Sequence, residues 1–233
     1  MPSLTRLTRR GLTFASFAAL FASVQARGDA VYDWGYNVFS QIGDGISSNR
    51  SLPVAVSSLS SGVSGVAAGD LHTLAIQNGA LYAWGDNNDG QIGDGTSTTR
   101  TRPVAVRTLT SGVTAVAGGQ QYSMAIQNGG VYAWGNNASG VLGNGTLAGT
   151  STPAVVPTLS NGVTAIASCR TSLAIQNGAV YAWGYNGYGA VGNGTTADRY
   201  TPFAIPALST GVTGIASGLN HSMATFLFGT PFD

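Results

Sequence analysis

Apolar positions along this chain come in short, strand-sized runs separated by Gly, Asn, Asp and Ser. Around Trp134 the pattern predicts four strands, over 112–117, 122–127, 130–134 and 153–156. Asn-Gly pairs at Asn78-Gly79, Asn128-Gly129 and Asn177-Gly178 predict two-residue hairpins joining second strands to third. A type I′ turn needs positive φ at both central positions, which Asn and Gly tolerate best.

The pattern repeats along nearly the whole chain. Trp34, Trp84, Trp134 and Trp183 lie 50, 50 and 49 residues apart, each followed by glycine, in copies such as LYAWGDN, VYAWGNN and VYAWGYN. Repeats of this length cannot bury their apolar faces alone and need neighbours. They run near 30–78, 79–128, 129–177 and 178–228. Four antiparallel strands per repeat predict an all-β chain with propeller blades.

The ends carry complementary halves. Before and after Trp34 only third and fourth strands are predicted, at 30–34 and 53–56; the last residues supply a first and second, at 211–216 and 222–228. The reading is a β-propeller of four ~50-residue, four-stranded repeats, with one blade shared between the termini. Such closure hides strand edges that would otherwise pair with other chains.

The run AAGDLHTLAIQNGALYAWGDNNDGQIGDGT resembles the repeat of the regulator of chromosome condensation family. That repeat reads Gly-x-x-His-Ser/Thr-x-Ala-Leu, then Gly-x-Val-Tyr-x-Trp-Gly-x-Asn, then Gly-Gln-Leu-Gly. The likeness extends over residues 28–228 and implies a propeller, usually of seven blades, whereas four repeats are present. They could close as four, pair with a second copy, or stay an open arc.

Composition changes the picture in two ways. Charged residues are 8% of the chain, with no Lys and no Glu, so solubility rests on Ser, Thr, Asn, Gln and backbone. Arg6, Arg9 and Arg10 precede an apolar run at 11–24 and a small-residue site ending at Ala26, the layout of a signal peptide over 1–26. Thr8-Arg9-Arg10-Gly11-Leu12 also resembles a twin-arginine signal, an alternative to the general export route. The mature part, 27–233, is expected to be exported (secreted or periplasmic) without a stable membrane anchor. It would carry seven Arg against nine Asp, a formal −2, with no basic stripe for nucleic acid. Cys169 is the sole cysteine, so no intramolecular disulfide is possible.

Candidate chemistry is sparse. His72 and His221 share a slot that Tyr122 fills in another copy, so they read as framework, like Trp34, Trp84, Trp134 and Trp183. Asp44 and Asp94 alternate with Asn144 and Asn193, which suits turns better than acid–base pairs. Calcium over 86–94 fits neither a helix-loop-helix nor a nonapeptide pattern, and no metal or cofactor is expected. Arg50, Arg100 and Arg199 share a register; pairing with nearby Asp or carbonyls outweighs an anion site there. No nucleophile elbow, phosphate loop or Cys/His cluster is present, so no enzyme is expected.

The copies diverge in the loop after each Trp-Gly. Tyr36 and Phe39 in the first and Tyr185 and Tyr188 in the last would form one aromatic patch if the ring closes, a composition suited to partner binding. The expected function is an exported, non-enzymatic protein-binding propeller, with homodimerisation open. The alternative is an inhibitor of a secreted enzyme, as related bacterial propellers suggest. A third reading, nucleotide exchange or chromatin binding, is what the resemblance implies from the founding member.

Overall fold

The computed structural model describes residues 29–227, so the expected signal peptide lies outside the described residues. Among the described residues the chain is all-β apart from two short 3-10 turns. Strands β1 (Tyr32–Gly35) and β2 (Arg50–Ala55) form a two-stranded sheet. Three complete blades follow. The first comprises β3 (Val63–Ala68), β4 (His72–Gln77), β5 (Ala80–Gly85) and β6 (Arg100–Ala105). The second comprises β7 (Val113–Gly118), β8 (Tyr122–Gln127), β9 (Gly130–Gly135) and β10 (Thr150–Val155). The third comprises β11 (Val163–Ser168), β12 (Thr171–Gln176), β13 (Ala179–Gly184) and β14 (Arg199–Ala204). A second two-stranded sheet, β15 (Val212–Ser217) with β16 (Ser222–Phe226), comes last.

The Asn-Gly hairpins form as the pattern predicts. Asn78, Asn128 and Asn177 have φ of 51°, 52° and 52°, and their glycines 78°, 79° and 81°. The fourth strands begin earlier than their apolar residues suggest, because Arg50, Arg100 and Arg199 pair with the glycines after Trp across a register shift.

Apolar side chains bury themselves between blades rather than within one. Trp134 packs with Leu74, Ile92 and Val106 of the preceding blade, and Trp183 with Met124, Val131 and Leu142. Trp84 does the same against Val31, Val56 and Leu59 of the opening half-blade. Its indole Nε1 donates to the Gln41 carbonyl at 2.7 Å; Trp134 reaches Gln91 at 2.8 Å and Trp183 reaches Val141 at 2.7 Å. The indole thus carries apolar area and one directional bond across each seam.

One expectation is corrected here. The two half-blades do not join: β1 pairs with β2, β15 with β16, and no ladder links β16 to β1 among the described residues. The rotation from blade to blade is set by close-packed seams, so curvature cannot tighten to bring the ends together without opening them. Trp34 accordingly stands 60% exposed, whereas Trp84, Trp134 and Trp183 are fully buried.

Candidate partner-binding loop face

Each third strand ends in Trp-Gly, and the loop beyond is built on one buried asparagine. Asn37, Asn87, Asn137 and Asn186 are all at most 2% exposed. Each side-chain carbonyl accepts from the backbone N–H five residues on, those of Ile42, Ile92, Leu142 and Val191, at 2.9 to 3.0 Å. Each amide donates to two carbonyls further along, for example Thr96 and Thr98 from Asn87, both at 3.1 Å. Asn fits because it alone among short side chains offers an acceptor and two donors on one flat group. The family-like Trp-Gly-x-Asn spacing marks these residues, yet their role as loop clamps was not legible in it.

A second turn closes each loop. Asp44, Asp94, Asn144 and Asn193 accept through Oδ1 from the N–H two residues on, at 2.9 to 3.0 Å. Their alternation follows from this, since carboxylate and amide oxygens serve equally. The following glycines, not the acidic residues, take positive φ, from 78° to 91°. Desolvation would lift the Asp94 carboxyl, but bonds from Thr96 and the Arg100 guanidinium hold it below the usual carboxylate range. Asp44 is lowered likewise against its own desolvation, by the Ile46 N–H and Arg50.

Arg50 pairs with Asp44 at 2.6 Å and Arg100 with Asp94 at 2.5 Å. Those carboxylates occupy the guanidinium faces an anion would need. Arg199 faces Asn193 in that register and lies over the Phe203 ring at 5.4 Å instead. The acidic oxygens at 86–94 are likewise engaged, Asp86 accepting from Gln91 at 2.8 Å and Asn88 at 2.7 Å.

His72 lies wholly within the first blade seam, its Nε2 2.9 Å from Ser123 Oγ in the next blade. Tyr122 repeats that reach with its hydroxyl 2.8 Å from Ser172 Oγ. Burial holds the His72 imidazole at a pKa of about 4, hence neutral. His221 occupies the same register in the closing half-blade, where it is exposed.

The loops' outward side chains are where the copies differ. Tyr36 is 53% exposed and Tyr188 68%, while Phe39 and Tyr185 are half-buried. Tyr185 and Tyr188 meet edge-to-face at 6.2 Å, and Arg170 lies 5.7 Å from the Tyr185 centroid, fixed by a 2.9 Å bond to Gln120. Tyr36 instead lines a groove beside β3, so with the ring unjoined the four aromatics form two separate sets.

Against known proteins, the model of the regulator of chromosome condensation (RCC1) repeat matches residues 29–76, 78–126, 128–175 and 177–225. The chain belongs to the RCC1 repeat family. Among solved structures this RCC1-repeat chain is similar to human WBSCR16, with TM-score 0.73 and 25% identity over 85% of this chain and 53% of that one. It is also similar to yeast RCC1 (Prp20), solved with Kap60, with TM-score 0.72 and 23% identity over 96% of this chain and 57% of that one. The RCC1-repeat chain therefore spans little more than half the length of the solved relatives it matches. No curated protein matches it by sequence.

Proposed function

We propose that this RCC1-repeat chain is an exported, non-enzymatic module that binds a protein partner through the loops following Trp-Gly. The observation that carries the reading is a division of labour within each loop. A buried asparagine fixes the backbone in all four copies, while the outward residues diverge and include exposed Tyr36 and Tyr188. Rigid backbone with variable aromatic side chains lowers the ordering cost of binding and supplies large contact area. The yeast relative supports a protein partner in general terms, being solved with Kap60 and described as binding Gsp1p and histones. Its identity to this chain, 23% and 22% in the two structures, carries the fold alone.

The test replaces Tyr36, Phe39, Tyr185 and Tyr188 together by Ser and compares capture from the native secretome. The reading expects an unchanged unfolding midpoint with loss of a protein that the parent chain retains. Equal capture by both chains would overturn it.

A further inference from the structure

The two half-blades carry vacancies that match. In each complete seam one backbone carbonyl receives two donors from the next blade. Gln41 O accepts from Thr73 and Trp84, Gln91 O from Ser123 and Trp134, and Val141 O from Ser172 and Trp183. The corresponding carbonyl of the last complete blade, Ala190 O, accepts from Ser222 at 2.8 Å and, among the described residues, from no indole. The glycines beside these carbonyls tell the same story. A Cβ on Gly43, Gly93 or Gly143 would lie 2.5, 2.6 or 2.8 Å from the Nε1 of Trp84, Trp134 or Trp183. On Gly192 it would meet only Ile205, at 3.4 Å. An indole-sized place is open there, and Trp34 is the one exposed Trp of the repeat.

The other half-blade shows the converse. Between β1 and β3 lies a groove of about 690 Å³, lined by Tyr32, Trp34, Val66, His72 and Thr73 among others. In complete blades that place holds the first and second strands. The closing sheet supplies that pair, β15 with β16, whose Met223 is 56% exposed where its counterparts Leu74, Met124 and Leu173 are at most 1%.

We propose that a second copy of this chain completes each half-blade, β16 of one copy pairing with β1 of the other, twice, in a closed two-chain ring. The repeat dictates the register. Thr73 opposes Trp84 and Leu74 opposes Ala83, so Ser222 meets Trp34 and Met223 meets Asp33 of the second copy. Trp34 Nε1 then donates to Ala190 O, and His221 reaches Thr73 as His72 reaches Ser123. A second copy is the fitting occupant because one copy covers just over half the length of the solved chains it resembles and, among the described residues, leaves its own edges unjoined. Three complete blades and two halves per copy give eight blades, within the range of known propellers. Two identical head-to-tail joins close by two-fold rotation. The proposal is independent of the loop-face reading.

The test uses the full chain with Cys169→Ser as background. Chains bearing Asp33→Cys and chains bearing Met223→Cys are purified separately, mixed and oxidised. Opposed positions in an antiparallel pair lie within disulfide reach. The expected results are a mixed cross-linked dimer, twice the chain mass in solution for the parent, and a concentration-dependent blue shift of Trp34 fluorescence. Trp34→Ser, exposed in the single copy, should return the mass to one chain with its strand signal intact. Three results would overturn the proposal: a monomer at all concentrations, no mixed cross-link on oxidation, or open-ended polymers.

Discussion

The indole of Trp134 and the backbone carbonyl of Gln91 meet at 2.8 Å across a blade seam, and Ser123 shares the same oxygen. This shared acceptor explains why Trp, not merely a large apolar residue, recurs in the repeat. Trp134→Phe should keep most of the buried area but lose the bond, costing about 1–3 kcal/mol. Trp134→Ala should cost about 3–5 kcal/mol. Denaturant midpoints at constant slope would check both values, and a Trp134→Phe chain as stable as the parent would refute the role of the bond.

Asn87 holds its loop through both ends of its amide. Asn87→Asp keeps the acceptor for Ile92 N–H but removes the donors to Thr96 and Thr98, and places a carboxylate near Asp94. The expected loss exceeds 1 kcal/mol, about that of a buried unsatisfied carbonyl. Hydrogen exchange should rise within 86–98 and stay unchanged in the other loops. Uniform exchange across all four loops would count against local clamping.

His72 makes the fold acid-sensitive. Its folded pKa, about 4, lies below the 6.5 of the unfolded chain, so the unfolded state binds the proton first as pH falls. Stability is fully present above pH 6.5 and declines toward pH 4, by about 3 kcal/mol in all. Tyr122 shows that the slot accepts a phenol, so His72→Tyr should fold and flatten the decline. A parent-like pH slope in that variant would assign the sensitivity elsewhere.

Asp33 acts in the opposite direction. It stands where the other repeats have Ala83, Ala133 and Ala182, and burial lifts its pKa to about 6, with the Trp34 N–H pulling the other way. The folded state therefore binds the proton first, and stability from this group rises as pH falls from above 6 toward the ordinary carboxylate value of 3.8. Asp33→Ala should stabilise the chain at pH 7.5 and tighten association of copies, with clearly smaller gains in both at pH 4.5. Sedimentation and thermal melts at the two pH values would check this; equal gains at both would refute it.

Much of this was legible beforehand. Period, hairpin positions and half-blades follow from short-range rules, because an Asn-Gly turn or a strand-sized apolar run is decided by the residues themselves. The placing of His72, Asp44 and Asp94 as framework followed from comparing copies within one chain. The asparagine clamps were not legible, since their partners lie up to 11 residues away in an irregular loop and carry backbone oxygens common to any sequence. Nor could spacing show that Arg199 would leave the ion-pair scheme for Phe203.

The sequence by itself determined the repeat, the strand order within each blade and the complementary character of the two ends, all local or periodic properties. Only the tertiary structure decided how those ends stand. Curvature is a property of packed seams, where Trp84, Trp134 and Trp183 each lock one blade to the one before. It leaves Trp34, the residue that most clearly announced the repeat, exposed and without a blade to lock.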